Sequence, residues 1–141
     1  MKYRYPVTLT RDAEGGFTVT FPNFPEGTTQ GDTEEEALVE ARDCLDEVLA
    51  SRVNEQEAIP QPSRISKFSV EPTAQIAAKV ALYEAFKESG INQSAFARRL
   101  EVAETEIRRM LDPHHPTKLP RIEDALAVLG KKIRIEVVSS G

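Results

Sequence analysis

The chain has 141 residues and a mass of 15.7 kDa, room for one compact domain or two very small ones and too little for a large multi-domain enzyme. Hydrophobic residues make up 40%, charged residues 29% and aromatics 6% with no Trp, which predicts a soluble globular protein with modest cores and excludes a disordered chain. The net charge of -5 conceals an asymmetry: residues 1–70 carry seven Lys and Arg against thirteen Asp and Glu, and residues 71–141 carry eleven against ten. Such a split suggests two halves that face different partners, the acidic one a basic protein and the second a polyanion.

No apolar run approaches the roughly 20 residues of a membrane span. The stretch Met1-Lys2-Tyr3-Arg4-Tyr5-Pro6 has no apolar region of the signal-peptide kind, and the single Cys44 can form no internal disulfide. A reducing cytoplasm is the expected location.

Tyr3, Tyr5, Val7 and Leu9 recur at every second position against Arg4, Thr8 and Thr10, the period of a half-buried strand. Asp12-Ala13-Glu14-Gly15-Gly16 supplies turn chemistry, and Phe17, Val19 and Phe21 then alternate with Thr18 and Thr20, so the two runs predict a hairpin. Pro22-Asn23-Phe24-Pro25 ends the second strand, because proline donates no ladder hydrogen bond, and Gly27-Thr28-Thr29-Gln30-Gly31-Asp32 suits a short third one. Thr33-Glu34-Glu35-Glu36 has the capping-box form and starts a helix. Its inward stripe is Ala37, Leu38, Ala41, Leu45, Val48 and Leu49, its outward side Glu40, Asp43, Asp46 and Glu47, with Cys44 beside the stripe. Ser66-Lys67-Phe68-Ser69-Val70 adds a fourth strand. Residues 1–70 are therefore expected as a β-β-β-α-β module whose helix covers one sheet face. Two prolines in a polar setting, Pro60 and Pro62, predict an exposed linker over residues 54–64, and Pro72 marks a second break near residue 71.

The run Phe21-Pro22-Asn23-Phe24-Pro25-Glu26-Gly27-Thr28-Thr29-Gln30-Gly31-Asp32-Thr33-Glu34-Glu35-Glu36-Ala37 follows Tyr5-Pro6-Val7 and Gly15-Gly16-Phe17. Together they closely resemble the signature of HicB-type antitoxins of type II toxin-antitoxin systems, over about 60 residues. The resemblance implies that the module is a degenerate, catalytically dead RNase H-like fold that binds and occludes a small basic HicA ribonuclease toxin. It assigns no toxin-contacting residue, since Pro22, Pro25, Gly27, Gly31 and Asp32 also serve to shape turns and a helix cap.

In the second half Ile76, Val80, Tyr83 and Phe86 fall at helical spacing among Ala77, Ala78, Ala81, Leu82 and Ala85, and Ser89-Gly90 stops the helix. Asn92 caps a second helix holding Phe96, Ala97 and Leu100, and Ile107, Met110 and Leu111 indicate a third. Two short helices three or four residues apart have the form of a helix-turn-helix. Asn92-Gln93-Ser94-Ala95-Phe96-Ala97-Arg98-Arg99-Leu100 followed by Val102 resembles the Xre/Cro type, with two departures. Glu101 stands where Gly is common, so the turn either takes a less favourable backbone conformation or differs in shape, and Ala103 is a poor cap. Ile122-Glu123-Asp124-Ala125-Leu126-Ala127-Val128-Leu129-Gly130 continues as a closing helix with Leu126 and Leu129 on its core face. Ile133, Ile135 and Val137 alternate with Arg134 and Glu136, which predicts a terminal strand that pairs with its equivalent in a second chain.

The fold class expected is thus α+β, with residues 1–70 a toxin-binding module and residues 71–141 a helix-turn-helix and dimerisation domain. Docking geometry offers Thr105 and Arg108, with Glu104, to base edges, and places Gln93, Ser94, Arg109 and Lys118 against phosphates. Arg98 and Arg99 read as solvated helix residues. His114-His115 lacks the spacing of a ligand set and reads as loop, Cys44 as a structural thiol, and Asp12 and Asp32 as turn and helix-entry residues rather than metal ligands. No catalytic residue, metal or cofactor is expected. The function expected is an antitoxin that neutralises a HicA-like toxin and represses its own operon at operator DNA as a dimer or tetramer formed through the C-terminal domain. A repressor of the same type whose first half senses a small ligand is the alternative.

Overall fold

The structure, a computed structural model, describes residues 2–65 and 67–140. In chain order the elements are β1 (Tyr5–Arg11), β2 (Phe17–Phe21), β3 (Phe24–Gly31), α1 (Glu34–Asn54), β4 (Phe68–Val70), α2 (Ala74–Ser89), α3 (Gln93–Leu100), α4 (Glu104–Leu111) and α5 (Leu119–Val128). The chain divides into two compact units, one ending at Val80 and the other beginning at Ala81. The division falls inside α2, beyond the Pro72 break. No helix of the described residues is long and apolar enough to cross a membrane.

The first unit is built on an antiparallel sheet in the order β3-β2-β1-β4. The β1–β2 hairpin turns through Gly15 and Gly16, both at positive φ, and the Asp12 carboxylate accepts from the Thr18 hydroxyl at 2.8 and 3.0 Å, which ties the turn across its base. β1 begins at Tyr5, with Tyr3 buried just before it. The third strand starts earlier than its glycines suggest: β3 opens at Phe24 and contains Pro25. It lies at the sheet edge, and pairing passes from Thr20↔Thr28 to Phe21↔Phe24, so residues 25–27 bulge out where a missing amide hydrogen removes no central ladder bond. β4 pairs with β1 through Phe68, Ser69 and Val70. Ser66, expected in the same strand, lies outside the described residues.

The Thr33 side chain accepts from the Glu36 amide at 3.1 Å, and three glutamates occupy the first turn of α1, where they complement the helix dipole. Ala37, Ala41, Leu45, Val48, Leu49 and Val53 are buried, as are Tyr5, Val7, Val19, Phe21 and Phe24 of the sheet. Leu38 is only half-buried and Val39 is exposed. Glu40 and Asp46, expected outward, are half-buried, and the Asp46 carboxylate accepts from the Thr73 amide at 2.9 Å.

Two glycines set the distance between helix and sheet. A Cβ on Gly31 would lie 2.6 Å from Ala37 Cα and 2.8 Å from the Glu36 carbonyl carbon, and one on Gly27 would lie 3.0 Å from the Phe21 ring and 3.3 Å from Val48. At the other end of the helix Arg52 grips Glu26 through both carboxylate oxygens, at 2.7 and 3.0 Å, donates to the Ala58 carbonyl at 3.1 Å and lies over the Phe24 ring. The proline-containing segment after α1 is fastened rather than loose. Tyr5 donates to the Pro60 carbonyl at 2.8 Å, Asn23 donates to the Gln61 carbonyl at 3.2 Å, and the Asn23 side-chain oxygen accepts from both Ser63 donors.

In α2, Thr73 accepts from the Ile76 amide, Gly90 ends the helix at positive φ, and Lys79 is fully buried. No buried side-chain nitrogen or oxygen among the described residues lacks a hydrogen-bond partner. The second unit buries Leu82, Tyr83 and Ala85 with Phe96, Ala97, Ile107, Met110, Ile122, Ala125 and Leu126, and stacks Phe86 on Phe96 with ring centroids 5.3 Å apart. The core face of α5 is Ile122, Ala125 and Leu126, while Leu129 sits half-buried at the C-cap. Past Gly130, residues 131–140 form no ladder within the single chain, and Ile135, Val137 and Val138 are exposed. A strand exists only by pairing, and this single chain offers the segment no neighbour.

Gly31→Ala should cost the first unit about 3 kcal/mol or more, or prevent its folding, because the overlap is with helix backbone that cannot rotate away; chemical denaturation of the variant checks this. The Glu26 carboxyl is held below its ordinary value chiefly by the hydrogen bond from Arg52, with burial acting the other way. A carboxylate lowered on folding stabilises fully above its unfolded value and loses that contribution as pH falls through the folded one. Glu26→Gln should therefore be less stable than wild type by about 1 kcal/mol at pH 7 and equal to it in strong acid. Urea titrations at the two extremes measure the difference.

Candidate nucleic-acid interface

α3 and α4 are eight residues each and are joined by residues 101–103. The Asn92 side-chain oxygen accepts from the Ala95 amide at 2.8 Å and opens α3. Glu101 closes it in the left-handed conformation, φ 61° and ψ 43°, while the Val102 amide returns to the Ala97 carbonyl at 3.0 Å. Of the two outcomes left open at Glu101, the backbone takes the less favourable conformation and keeps the tight turn. Ala103 gives α4 no side-chain cap, and Glu104 and Glu106 in its first turn offset the dipole instead.

Helical spacing splits α4 into two sides. Ile107 and Met110 are buried, and Thr105, Arg108 and Arg109 are exposed. Arg108 lies 4.0 Å from Glu104, one turn away, and Arg109 lies 3.6 Å from Glu106. Gln93 and Ser94 are half-buried in the first turn of α3, and Lys118 is exposed at the N-cap of α5. Arg98 and Arg99 are exposed in the last turn of α3. The six candidates thus lie on three consecutive helical elements. The structure adds two residues that the spacing argument passed over: Glu106, and Arg121 of α5, whose guanidinium meets the Glu106 carboxylate at 3.0 Å. The Glu106–Arg109 spacing is legible in the sequence, whereas the Arg121 contact needs the fold of α5 back to α4.

The other chemistry-bearing residues have local roles. Asp112 organises the histidine turn, accepting from the His114 amide at 2.9 Å through its side chain and from the His115 amide at 3.1 Å through its carbonyl. Cys44 donates to the Thr28 carbonyl at 3.8 Å, and burial pushes its thiol up, away from thiolate. Asp12 is engaged with Thr18, and among the described residues no three His, Cys, Asp or Glu side chains gather as a metal site.

A family model described as the HicB_like antitoxin of bacterial toxin-antitoxin system matches residues 4–81, which is the extent of the first unit to within a few residues. The chain belongs to the HicB-like antitoxin family. It is 39% identical over 137 residues to antitoxin HicB of Escherichia coli (strain K12), covering 96% of this chain and 99% of that protein. It is 36% identical over 134 residues to antitoxin HicB 1 of Photorhabdus laumondii, covering 95% and 86%, and 38% identical over 135 residues to antitoxin HicB 2 of the same organism, covering 96% of each. The likeness to these HicB antitoxins therefore runs through both units, α3 and α4 included.

Replacing Glu101 by Gly should stabilise the second unit by about 1 kcal/mol, since the left-handed conformation costs a side-chain-bearing residue about 1 to 2 kcal/mol and glycine gives back part of the gain as chain entropy. Thermal unfolding of the variant against wild type tests the size and the sign.

Proposed function

We propose that this chain is an antitoxin and autorepressor: the first unit binds a HicA-type mRNA-cleaving toxin and denies RNA access to its active site, and the second binds operator DNA of its own operon. The observation that carries the first part is the family match over residues 4–81, together with full-length likeness to proteins named antitoxin HicB. The β-β-β-α-β order and the helix laid on one sheet face are compatible with a shortened RNase H-like fold.

The division of α4 supports the second part. In an Xre/Cro-like helix-turn-helix, α3 crosses the backbone and α4 enters the major groove. Thr105 and Arg108 then face base edges, Arg108 as the fork that reads guanine, while Gln93, Ser94, Arg109 and Lys118 meet phosphates. Glu104 holds Arg108 in the free protein and is displaced or turned to a cytosine amine on binding. The segment carrying Ile133, Ile135 and Val137 becomes a strand when a second copy supplies the partner ladder, giving a dimer, or a tetramer by further pairing, that places two recognition helices on a palindromic site.

Co-expression with the small protein encoded beside this gene is the test. Copurification and suppression of that protein's toxicity are expected. Arg108→Ala should weaken binding to the upstream duplex by about 1 to 3 kcal/mol and leave neutralisation unchanged. A neighbour that is neither bound nor toxic overturns the antitoxin reading and leaves a ligand-sensing repressor in its place.

A further inference from the structure

Glu106, in the first turn of α4, retains 29% of its side-chain surface, and its two carboxylate oxygens hold guanidinium groups from two different helices. Arg109 of α4 meets Oε2 at 3.6 Å and Arg121 of α5 meets Oε1 at 3.0 Å, and these arginines remain 60% and 46% exposed. The carboxylate therefore lies beneath and the cations lie outward. Arg121 reaches Glu106 through a single nitrogen, Nη2, which leaves most of the guanidinium's five N–H donors for a further acceptor. Two guanidinium groups share one carboxylate, and the shared anchor orders two long side chains before any ligand arrives. Paired forks of this kind fit an oxyanion with several acceptor oxygens, the chemistry of a backbone phosphodiester.

We propose that Arg109 and Arg121, aligned by Glu106, form a two-helix clamp on one phosphate of the nucleic-acid backbone, with Arg121 a contact residue and Glu106 a positioning residue. The proposal rests on the nucleic-acid reading of α3 and α4 and extends the interface to α5. It also reverses the expectation for Glu106: a carboxylate that merely repels phosphate weakens binding, so its removal tightens the complex, whereas one that aligns two arginines strengthens binding, so its removal loosens it.

The experiment uses the full chain, with a short random-sequence duplex and the duplex upstream of its own gene as probes, and reads affinity by anisotropy over a salt series. Arg121→Ala should lower the salt slope by about 0.9, the value of one phosphate contact, and weaken binding about tenfold on both probes alike. Glu106→Gln should weaken binding about threefold to tenfold and flatten the slope, although it removes a negative charge. Arg121→Lys keeps the charge without the fork and should fall between wild type and Arg121→Ala, which serves if the alanine variant fails to fold. Tighter binding by Glu106→Gln, an unchanged slope in Arg121→Ala, or an unchanged affinity in Arg121→Lys overturns the clamp while the nucleic-acid reading stands. A wild type that binds neither duplex overturns that reading, and the clamp with it.

Discussion

Because a side chain at Gly31 would overlap the backbone of Ala37, α1 can begin where it does only over a glycine, and the geometry of the first unit follows from that contact. β3 ends at Gly31, two residues pass, and Thr33 caps a helix that already lies against the strand it has just left. The inward side chains grow along the helix, from Ala37 and Ala41 to Leu45, Val48 and Leu49, so the element is close to the sheet at its start and spaced by larger groups further on. Gly27 admits Val48 beside Phe21, and the Arg52–Glu26 fork secures the far end. The glycines that resemble turn punctuation are thus packing residues, and their Cβ-less surface lets a long helix cover a small sheet.

The second unit relies on different physics. Its turn is strained at Glu101 and its α4 has no cap, so local propensity does little to hold the pair of short helices. Burial of Phe96, Ala97, Ile107 and Met110, together with the ion pair that Glu106 makes to α5, supplies what capping does not. The same arrangement turns the polar side of α4 outward with its arginines already tethered to carboxylates.

Much of this was legible in the sequence, and what was missed shares one cause. Alternation located β1 and β2, the Thr33 cap located α1, and Asn92 located α3, because each signal lies within a few residues of its effect. Pro25 reads as a stop in the sequence, although at a sheet edge beside a bulge it is compatible with a strand. Lys79 is hidden from a pattern in which lysine marks the solvent side, and of the two core positions expected in α5 Leu126 is buried while Leu129, beyond the end of the helix at its C-cap, is half-buried. Residues 131–140 alternate as a strand does, yet alternation does not provide the second ladder. The six interface candidates follow from helical spacing and the docking geometry that the Xre/Cro resemblance implies, neither of which shows a cation arriving from another helix, as Arg121 does.

The segment after α1 is exposed over much of its length, as its composition predicts, and is fastened all the same. Two prolines and polar neighbours predict an open linker, yet its carbonyls at Ala58, Pro60 and Gln61 accept from Arg52, Tyr5 and Asn23, and Ser63 returns two donors to Asn23. A protease needs several consecutive residues in extended form, and here it must first detach the segment from groups that belong to α1, β1 and the β2–β3 turn. Cleavage within residues 58–63 therefore reports how often the unit opens, at a rate set by the free energy of that opening rather than by how susceptible the peptide is. A cell that degrades this chain through the segment would read the integrity of its folded sheet, and anything that binds and steadies the sheet lengthens the life of the protein.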